Sequence, residues 1–270
     1  MKKISLLALA FLLLAGLHSC KRSQKTEEAL SDDRVSGLAL TDATTDEVIG
    51  TVESFFTGYH ARSSSPGSHL PSCVAVTRFG IGDTITVTWE FDASGCQMPN
   101  GRIYTGTVTM QRIHHGGQSQ VNVTFSDDFS VDSIDVDGSF QRTRTRTNSN
   151  GNPETTVVFD LQISRPGGES FHTTGQRVRE MVEGSDTRRP DDNVWEITGQ
   201  WQTVYDNGDS YDVQTLTPLR KEFACPWYVS GTVAIVYNGE TYRLDYGDGT
   251  CDDEAVLTMP DGQTRVIHLR

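Results

Sequence analysis

The first group of candidate functional side chains is an acidic stretch near the C-terminus. Five acids fall within the ten residues from Asp245 to Glu254, and carboxylate oxygens are the ligands that Ca²⁺ prefers. The spacing lacks the Gly and Glu positions of an EF-hand loop, and Asp and Gly also form turns by themselves. The sequence therefore favours a solvated turn and predicts no bound metal and no cofactor. The weak candidates for metal ligands are Asp245, Asp248, Asp252 and Asp253.

Alternating arginines form the second group. Arg142, Arg144 and Arg146 are separated by single threonines, so on a strand they share one face. Arg177 and Arg179 repeat this spacing further along the chain. If the two strands pair, five guanidinium groups would gather as a seat for a phosphate or carboxylate. The acidic chain favours the alternative, an exposed face whose arginines pair with cross-strand acids. The candidate partners are Glu154, Asp160 and Glu180.

Aromatic side chains form the third group, and they could stack on a sugar or fill the core. They share the strand parity of aliphatic residues such as Ile197 and Val229, and large rings on an apolar face usually pack inward. The sequence therefore predicts a core position for them. Tyr228 has the opposite parity and is the better candidate for an exposed ring. The five rings assigned to the core are Trp195, Trp201, Trp227, Tyr205 and Tyr237.

The sequence contains no local catalytic motif. Neither a Gly-x-Ser-x-Gly elbow nor a His-Glu-x-x-His pair is present. The opposed carboxylates of a glycoside hydrolase meet only in the folded chain, so the sequence does not reveal them. We expect a non-catalytic binding or scaffolding module with no catalytic residues, whose ligand is an envelope protein or a glycan. The alternatives are a glycan-active or glycan-binding domain that uses unrecognised carboxylates, and a calcium-stabilised module.

Most of these side chains are predicted to lie on β-strands. Residues 84–91 and 120–125 alternate between apolar and polar side chains, and Asn-Gly pairs at 207–208 and 238–239 separate further alternating runs. Asn-Gly between such runs is typical of a hairpin turn, because both turn residues need positive φ. The region 73–270 is therefore predicted to be one antiparallel domain.

One hairpin pattern occurs twice in the sequence, with the two copies 32 residues apart. Trp195-x-Ile-x-Gly199 matches Trp227-x-Val-x-Gly231, and both copies continue to Val-Tyr and then Asn-Gly. The glycines fall on the apolar face, and Gly within a strand often marks a bend or a close approach of backbone. We therefore predict an all-β fold, an antiparallel meander of long hairpins. Creases at the glycines would curve it strongly, into a half-open barrel or a folded-over sandwich.

The N-terminal part of the chain is predicted to contain one short amphipathic helix over residues 41–60. Val48 and Val52 have helical spacing, and Thr41 or Asp42 could cap the first turn. Residues 20–40 are predicted to be a lipidated cysteine followed by a flexible tether, and residues 61–72 a linker.

Residues 1–19 read as a signal peptide. Lys2 and Lys3 precede an apolar stretch over residues 6–17, which is too short to span a membrane. The closing segment Leu17-His-Ser-Cys20 resembles the lipobox of bacterial lipoproteins. That resemblance implies cleavage before Cys20 and a lipid anchor on its sulfur, which makes the membrane a partner. Lys21 stands where lipoproteins retained at the inner membrane often carry Asp, which implies the outer membrane.

The mature part resembles uncharacterised β-rich bacterial envelope lipoproteins, a resemblance that carries no known function. The chain has a net charge of −13, and loss of Lys2 and Lys3 with the leader would lower it to −15. A chain this acidic is a poor partner for nucleic acid.

Five cysteines in an exported chain leave one thiol over, and lipidation of Cys20 accounts for it. Three connectivities are possible for the remaining four. The short separations of 23 and 26 residues favour local closure, and an oxidising compartment favours disulfides over a metal or redox site. The predicted bonds are Cys73–Cys96 and Cys225–Cys251.

Overall fold

The computed structural model describes residues 30–62, 70–115, 118–187 and 192–269, with the backbone alone at 53–62, 114–115 and 118. The predicted signal peptide, Cys20 and the first part of the predicted tether lie outside these residues. So does most of the predicted linker.

The described chain forms one helix and fourteen strands. Their bounds are α1 Asp32–Arg62, β1 Val74–Ile81, β2 Thr84–Gln97, β3 Ile103–His115, β4 Gln118–Phe125, β5 Ser130–Val131, β6 Ile134–Thr145, β7 Glu154–Ser164, β8 Ser170–Glu183, β9 Val194–Tyr205, β10 Ser210–Glu222, β11 Tyr228–Tyr237, β12 Glu240–Asp248, β13 Glu254–Thr258 and β14 Thr264–His268.

The strands form a single antiparallel sheet that follows the order of the chain. Each strand pairs with the next, except that β4 pairs with β6 and the short β5 pairs with both β3 and β6. Strands β3, β4, β6 and β5 thus close a small ring within the larger sheet. Among the described residues, β1 and β14 each pair on one side only, so the sheet as a whole stays open. The predicted all-β meander is confirmed.

The predicted creases lie at glycines where neighbouring strands come unusually close. Gly231 has a φ of +105°, and a Cβ there would lie 2.3 Å from the carbonyl oxygen of Pro218. At Gly199 a Cβ would lie 2.2 Å from the carbonyl oxygen of Gln176. Because any other side chain would push the neighbouring backbone away, glycine is what permits the tight curvature at these positions.

The helix is longer than the sequence predicted. It begins at Asp32 rather than residue 41 and ends at Arg62 rather than residue 60, so residues 32–40 of the expected tether are helical. Val35 and Leu38 in this segment are buried against the sheet, and burial of an apolar face is what stabilises most helices.

The helix cap also differs from the prediction. The Ser31 hydroxyl accepts a hydrogen bond from the backbone N–H of Arg34 at 3.4 Å, and the first turn is acidic. Thr41 and Asp42 lie inside the helix and are buried. The Thr41 hydroxyl donates to the carbonyl of Gly37 at 2.9 Å and shares a hydrogen bond of 2.7 Å with the Tyr205 hydroxyl.

The helix lies in the hollow of the curved sheet. The backbone N–H of Leu30 donates to the Tyr242 hydroxyl at 3.2 Å, and the Ser36 hydroxyl donates to the carbonyl of His268 at 2.8 Å. Together with the Thr41–Tyr205 bond, these contacts join the helix segment to strands that are far apart in the sheet.

Part of the inner face of the sheet is filled by rings in mutual contact, which we call the ring-packed region. One chain of contacts runs from Tyr104 through Phe129 and Phe125 to Phe140, with centroid separations of 6.3, 4.8 and 6.1 Å. A second runs through Phe171, Tyr205, Tyr211 and Tyr237 at 6.0, 5.7 and 4.9 Å. These rings are buried, and such pairs add about 0.5–1.5 kcal/mol beyond the area they bury.

Candidate functional site

A cavity of about 550 Å³ lies between the helix and the inner face of the sheet. We call it the helix–sheet cavity. One wall is the middle of α1, from Ala39 to Glu47, and the other is formed by residues of β6 to β12. Pro226 and Trp227, from the loop between β10 and β11, close one side.

A disulfide anchors that loop. Cys225 bonds to Cys251, which follows β12, so the chain beside Pro226 and Trp227 is tied to the next hairpin. The other disulfide joins Cys73, just before β1, to Cys96 at the end of β2. Both predicted bonds are confirmed.

The pairing register of three strands, β6, β7 and β8, brings most of the predicted arginines to one region of the sheet. Arg142 is opposite Val157, which is opposite Arg177 on the next strand. Arg144 and Arg179 are related in the same way through Thr155. The arginine strands β6 and β8 therefore flank β7 instead of pairing with each other, and they still present their side chains to one face. Arg142, Arg144 and Arg179 line the cavity, whereas Arg146 lies beyond the end of β6 and is exposed.

Arg177 is the most buried of these arginines, with 2% of its side chain exposed. Its guanidinium donates to Asp42 and to Asp46 of the helix, both at 2.7 Å. It also lies 4.2 Å from the ring centroid of Trp201, within the range of a cation–π contact. Arg179 forms a further ion pair of 2.6 Å with Asp46.

The partners of these arginines therefore come from the helix and not from the predicted strand acids. Glu154 accepts a hydrogen bond from the amide of Asn148, and Asp160 pairs with His172 at 2.7 Å. Glu180 accepts from the amide of Asn152 at 2.8 Å. These acids lie on the other face of their strands, because they alternate with the inward positions.

The two helix acids have opposite pKa shifts. Burial, aided by the nearby charge of Asp46, raises the pKa of Asp42 from 3.8 to about 6, although Arg177 opposes it. Burial also acts on Asp46, but Arg179 and Arg177 outweigh it and lower the pKa of that carboxyl. Asp46 therefore holds its charge more strongly, and Asp42 takes up a proton first as the pH falls.

Sequence reasoning missed Asp42 and Asp46, although a signal for Asp42 was present. Val35, Leu38, Asp42, Ile49 and Val52 follow one another at helical spacing, and all are buried. Asp42 thus occupies a core position of an amphipathic helix, where a carboxylate needs a cationic partner.

Tyr228 faces the cavity and is half-buried, which corrects its predicted exposure. Its hydroxyl donates to Asp46 at 3.3 Å, and burial raises its pKa. The reason is the irregular pairing of β10 with β11, where the register shifts three times between Thr215 and Lys221. These shifts break the simple alternation on which the prediction depended.

Lys221 also lines the cavity, opposite Trp195 on β9. Its ammonium donates to the carbonyl oxygen of Cys225 and, at 3.5 Å, to that of Trp227. Burial lowers its pKa, and Asp46 partly opposes that shift. The charged ammonium group of Lys221 is therefore hydrogen-bonded to neutral carbonyl groups of the disulfide-anchored loop.

The predicted core rings divide into two sets. Trp201, Tyr205 and Tyr237 are buried, as predicted. Trp195 and Trp227 are only half-buried and line the helix–sheet cavity. Two indole rings are therefore available to a molecule inside it.

The side chains of the acidic stretch, which begins within β12, mostly form hydrogen bonds to nearby backbone groups. Asp248 accepts from the backbone N–H of Thr250 at 3.3 Å, and Asp252 accepts from that of Glu254 at 3.0 Å. Asp253 pairs with His268. The remaining candidate, Asp245, accepts from the backbone N–H of Gly247 at 3.1 Å. Within the described ranges, no group of three or more His, Cys, Asp or Glu side chains is placed to hold a metal ion.

No family model matches the chain, and neither a curated protein nor a solved structure matches it. Within the part of the chain that the structure describes, no helix has the length and apolar character needed to cross a bilayer.

Proposed function

We propose that this protein is a non-catalytic binding module, anchored by lipid to the cell envelope, and that its ligand occupies the helix–sheet cavity. The observation that carries the binding role is the cavity itself. Its volume of about 550 Å³ lies within the range of about 300–1,000 Å³ that is usual for small-molecule sites. Half-buried indoles beside charged groups are also typical of such sites.

The arrangement of the acids supports a binding role over a catalytic one. The three acids that line the cavity, Asp42, Asp46 and Glu47, all come from one helix. Asp42 and Asp46 bind Arg177, and Glu47 pairs with Arg102 at 2.7 Å. Glycoside hydrolysis needs two carboxyl groups on opposite sides of the scissile bond, and the lining does not place acids in that way.

A cavity-filling variant tests the binding role. Ala43 is an exposed helix residue that faces the cavity, so Ala43→Trp should fill the cavity with an indole. We expect it to abolish binding of a small aromatic probe, 1-naphthaleneacetamide, in isothermal titration calorimetry. The matched control is Leu40→Trp, an exposed position of the same helix outside the lining. Equal probe binding by Ala43→Trp and the control would refute the cavity as the site.

The anchor is proposed from the leader and from the cysteine count. Cys20 follows a signal-like segment, and the other four cysteines are all bonded in pairs, which fits an exported protein with one thiol reserved for lipid. With Lys21 after Cys20, we propose the outer membrane as the location in a cell with two membranes.

Metabolic labelling with an alkynyl fatty acid, followed by membrane fractionation, tests the anchor. The wild-type chain should take up the label and sediment with outer membranes. Cys20→Ala should lose both properties. The matched control, Lys21→Asp, should keep the label and shift to the inner membrane. Membrane-bound and unlabelled wild-type protein would contradict the anchor.

A further inference from the structure

The net charge of the side chains that line the helix–sheet cavity is opposite in sign to the net charge of the whole protein. The chain has a net charge of −13, yet the lining holds four basic side chains against three acids. Arg177 is not part of the lining, but it binds two of the lining acids and adds a fifth cation to the group. An acidic protein with a cationic hollow can select an anion there and repel it elsewhere.

The acids of the lining are already engaged by arginines. Asp42 binds Arg177, and Asp46 binds both Arg177 and Arg179. Glu47 pairs with Arg102, outside the lining. The helix acids therefore balance the arginines that hold the helix in place.

Arg144 and Lys221 add positive charge beyond that balance. Neither side chain forms an ion pair with any described residue, and Lys221 is bonded only to neutral carbonyl groups. Such a surplus favours an incoming anion, since charge-assisted hydrogen bonds to guanidinium are roughly twice as strong as neutral ones.

The rest of the wall is apolar and aromatic. The indoles of Trp195 and Trp227 are half-buried at the cavity surface, and Met181 and Ile197 lie beside them. An apolar or planar group could pack on these side chains while its charged end meets Arg144 and Lys221. A small inorganic ion would leave this part of the wall unused.

Building on the function proposed above, we infer that the ligand of the helix–sheet cavity is an organic anion. It carries a planar or apolar body that packs on Trp195 and Trp227, and a carboxylate or phosphate that binds Arg144 and Lys221.

The test compares two probes of the same shape, 1-naphthaleneacetate and its neutral amide. Titration calorimetry uses the full chain in detergent, with blank titrations into detergent alone to subtract partition into micelles. At low salt we expect the carboxylate to bind about tenfold more tightly than the amide, because one charge-assisted bond is worth about that factor. Raising the salt concentration should weaken the carboxylate and leave the amide unchanged. Competition by 1-naphthyl phosphate shows whether a phosphate reaches the same groups.

Substitution of the two cations locates the anion site. Arg144→Gln is an exposed change that leaves the helix contacts intact, and the double variant with Lys221→Gln keeps an N–H donor at the loop. We expect the ratio of carboxylate to amide affinity to fall from about tenfold to less than about threefold in the double variant. The matched control is Arg146→Gln, which removes a charge from the same segment outside the lining, and it should keep the full preference.

The outcomes separate this inference from the function on which it rests. Equal affinity for both probes in the wild-type chain would overturn the anion and leave the cavity as a binding site. A carboxylate preference that survives in the double variant would also overturn it. Failure of both probes to bind would overturn the binding site itself.

Discussion

The ring-packed region and the helix–sheet cavity lie on the same inner face of the sheet, and they differ in how that face is filled. On β6, Phe140 belongs to the ring-packed region, whereas Arg142, two residues later, lines the helix–sheet cavity. In the ring-packed region, ring meets ring at 4.8–6.3 Å and the interior is closed. In the other, arginines hold the helix by ion pairs, and a hollow of about 550 Å³ remains.

With the function proposed above, stability and binding are assigned to separate lengths of the same strands. Apolar burial in the ring-packed region can support the fold by itself. Around the helix–sheet cavity, buried ion pairs take the place of part of that apolar burial. Buried ion pairs contribute little net stability, but they require a specific geometry. Four predictions test this division, in decreasing order of the change in stability that we expect.

The largest effect should come from Arg177, because it joins the helix to the cavity side of the sheet. Arg177→Gln would leave Asp42 and Asp46 buried without their shared cation. Loss of one partner from a buried ion pair costs about 3–5 kcal/mol in the free energy of unfolding. The control, Arg243→Gln, breaks an exposed pair of 3.6 Å and should cost less than about 1 kcal/mol. Equal urea midpoints for the two variants would mean that the helix does not depend on Arg177.

The second effect is a pH dependence with opposite signs at two positions of one helix. The pKa of Asp42 is raised from 3.8 to about 6 in the folded protein, so its ionisation opposes folding. As the pH rises from 3.8 to about 6, the free energy of unfolding of the wild-type chain should therefore fall by about 3 kcal/mol relative to that of Asp42→Asn. The pKa of Asp46 is lowered, so its contribution is present above its usual pKa and is lost as the pH falls. The wild-type chain should therefore gain stability relative to Asp46→Asn as the pH rises.

Urea unfolding of the three proteins at pH 2.5, pH 4 and pH 6.5 measures these trends. The Asp46 contribution changes between the first two pH values and the Asp42 contribution between the last two. The same slope for both variants would mean that the two carboxyls share one environment. That result would contradict the separate roles given to Asp42 and Asp46.

The third effect compares one ring from each region. Phe171 is fully buried, and Phe171→Ala should cost about 3–5 kcal/mol through lost burial and a new cavity. Trp195 is half-buried on the wall of an existing hollow, so Trp195→Ala should cost less by about 2 kcal/mol. Thermal unfolding followed by circular dichroism gives both values. Equal losses would show that the cavity side is packed as tightly as the ring-packed region.

Much of this architecture could be predicted from the sequence because it is local. Alternation gave the strands, Asn-Gly pairs marked hairpins, and the short separations between cysteines favoured the two disulfides that form. The shared face of Arg142 and Arg144 also follows from a period of two.

The rest depends on contacts between distant parts of the chain. Arg177 meets Asp42 across 135 residues, and no pattern near either residue names the other. The early start of the helix depends on burial of Val35 and Leu38 against the sheet, which is a tertiary effect. Tyr228 was misplaced because shifts in the pairing of β10 with β11 interrupt the alternation.

The fourth and smallest effect tests the curvature that makes room for both regions. Gly231→Ala places a methyl group 2.3 Å from the carbonyl oxygen of Pro218 at a φ of +105°. Gly239→Ala is the matched control, with a φ of +80° and no neighbouring atom within 4 Å. Both pay for positive φ, and the crowding at Gly231 should add about 1–3 kcal/mol. Equal stabilities in urea would remove the crease as a cause of the bend.

A crystal structure of the full chain soaked with 1-naphthaleneacetate would show whether the helix–sheet cavity is open to a ligand. We predict density for the naphthyl ring beside Trp195 and Trp227, with the carboxylate at Arg144 and Lys221. A hollow closed by its own indole rings, with the probe bound elsewhere or absent, would contradict the account.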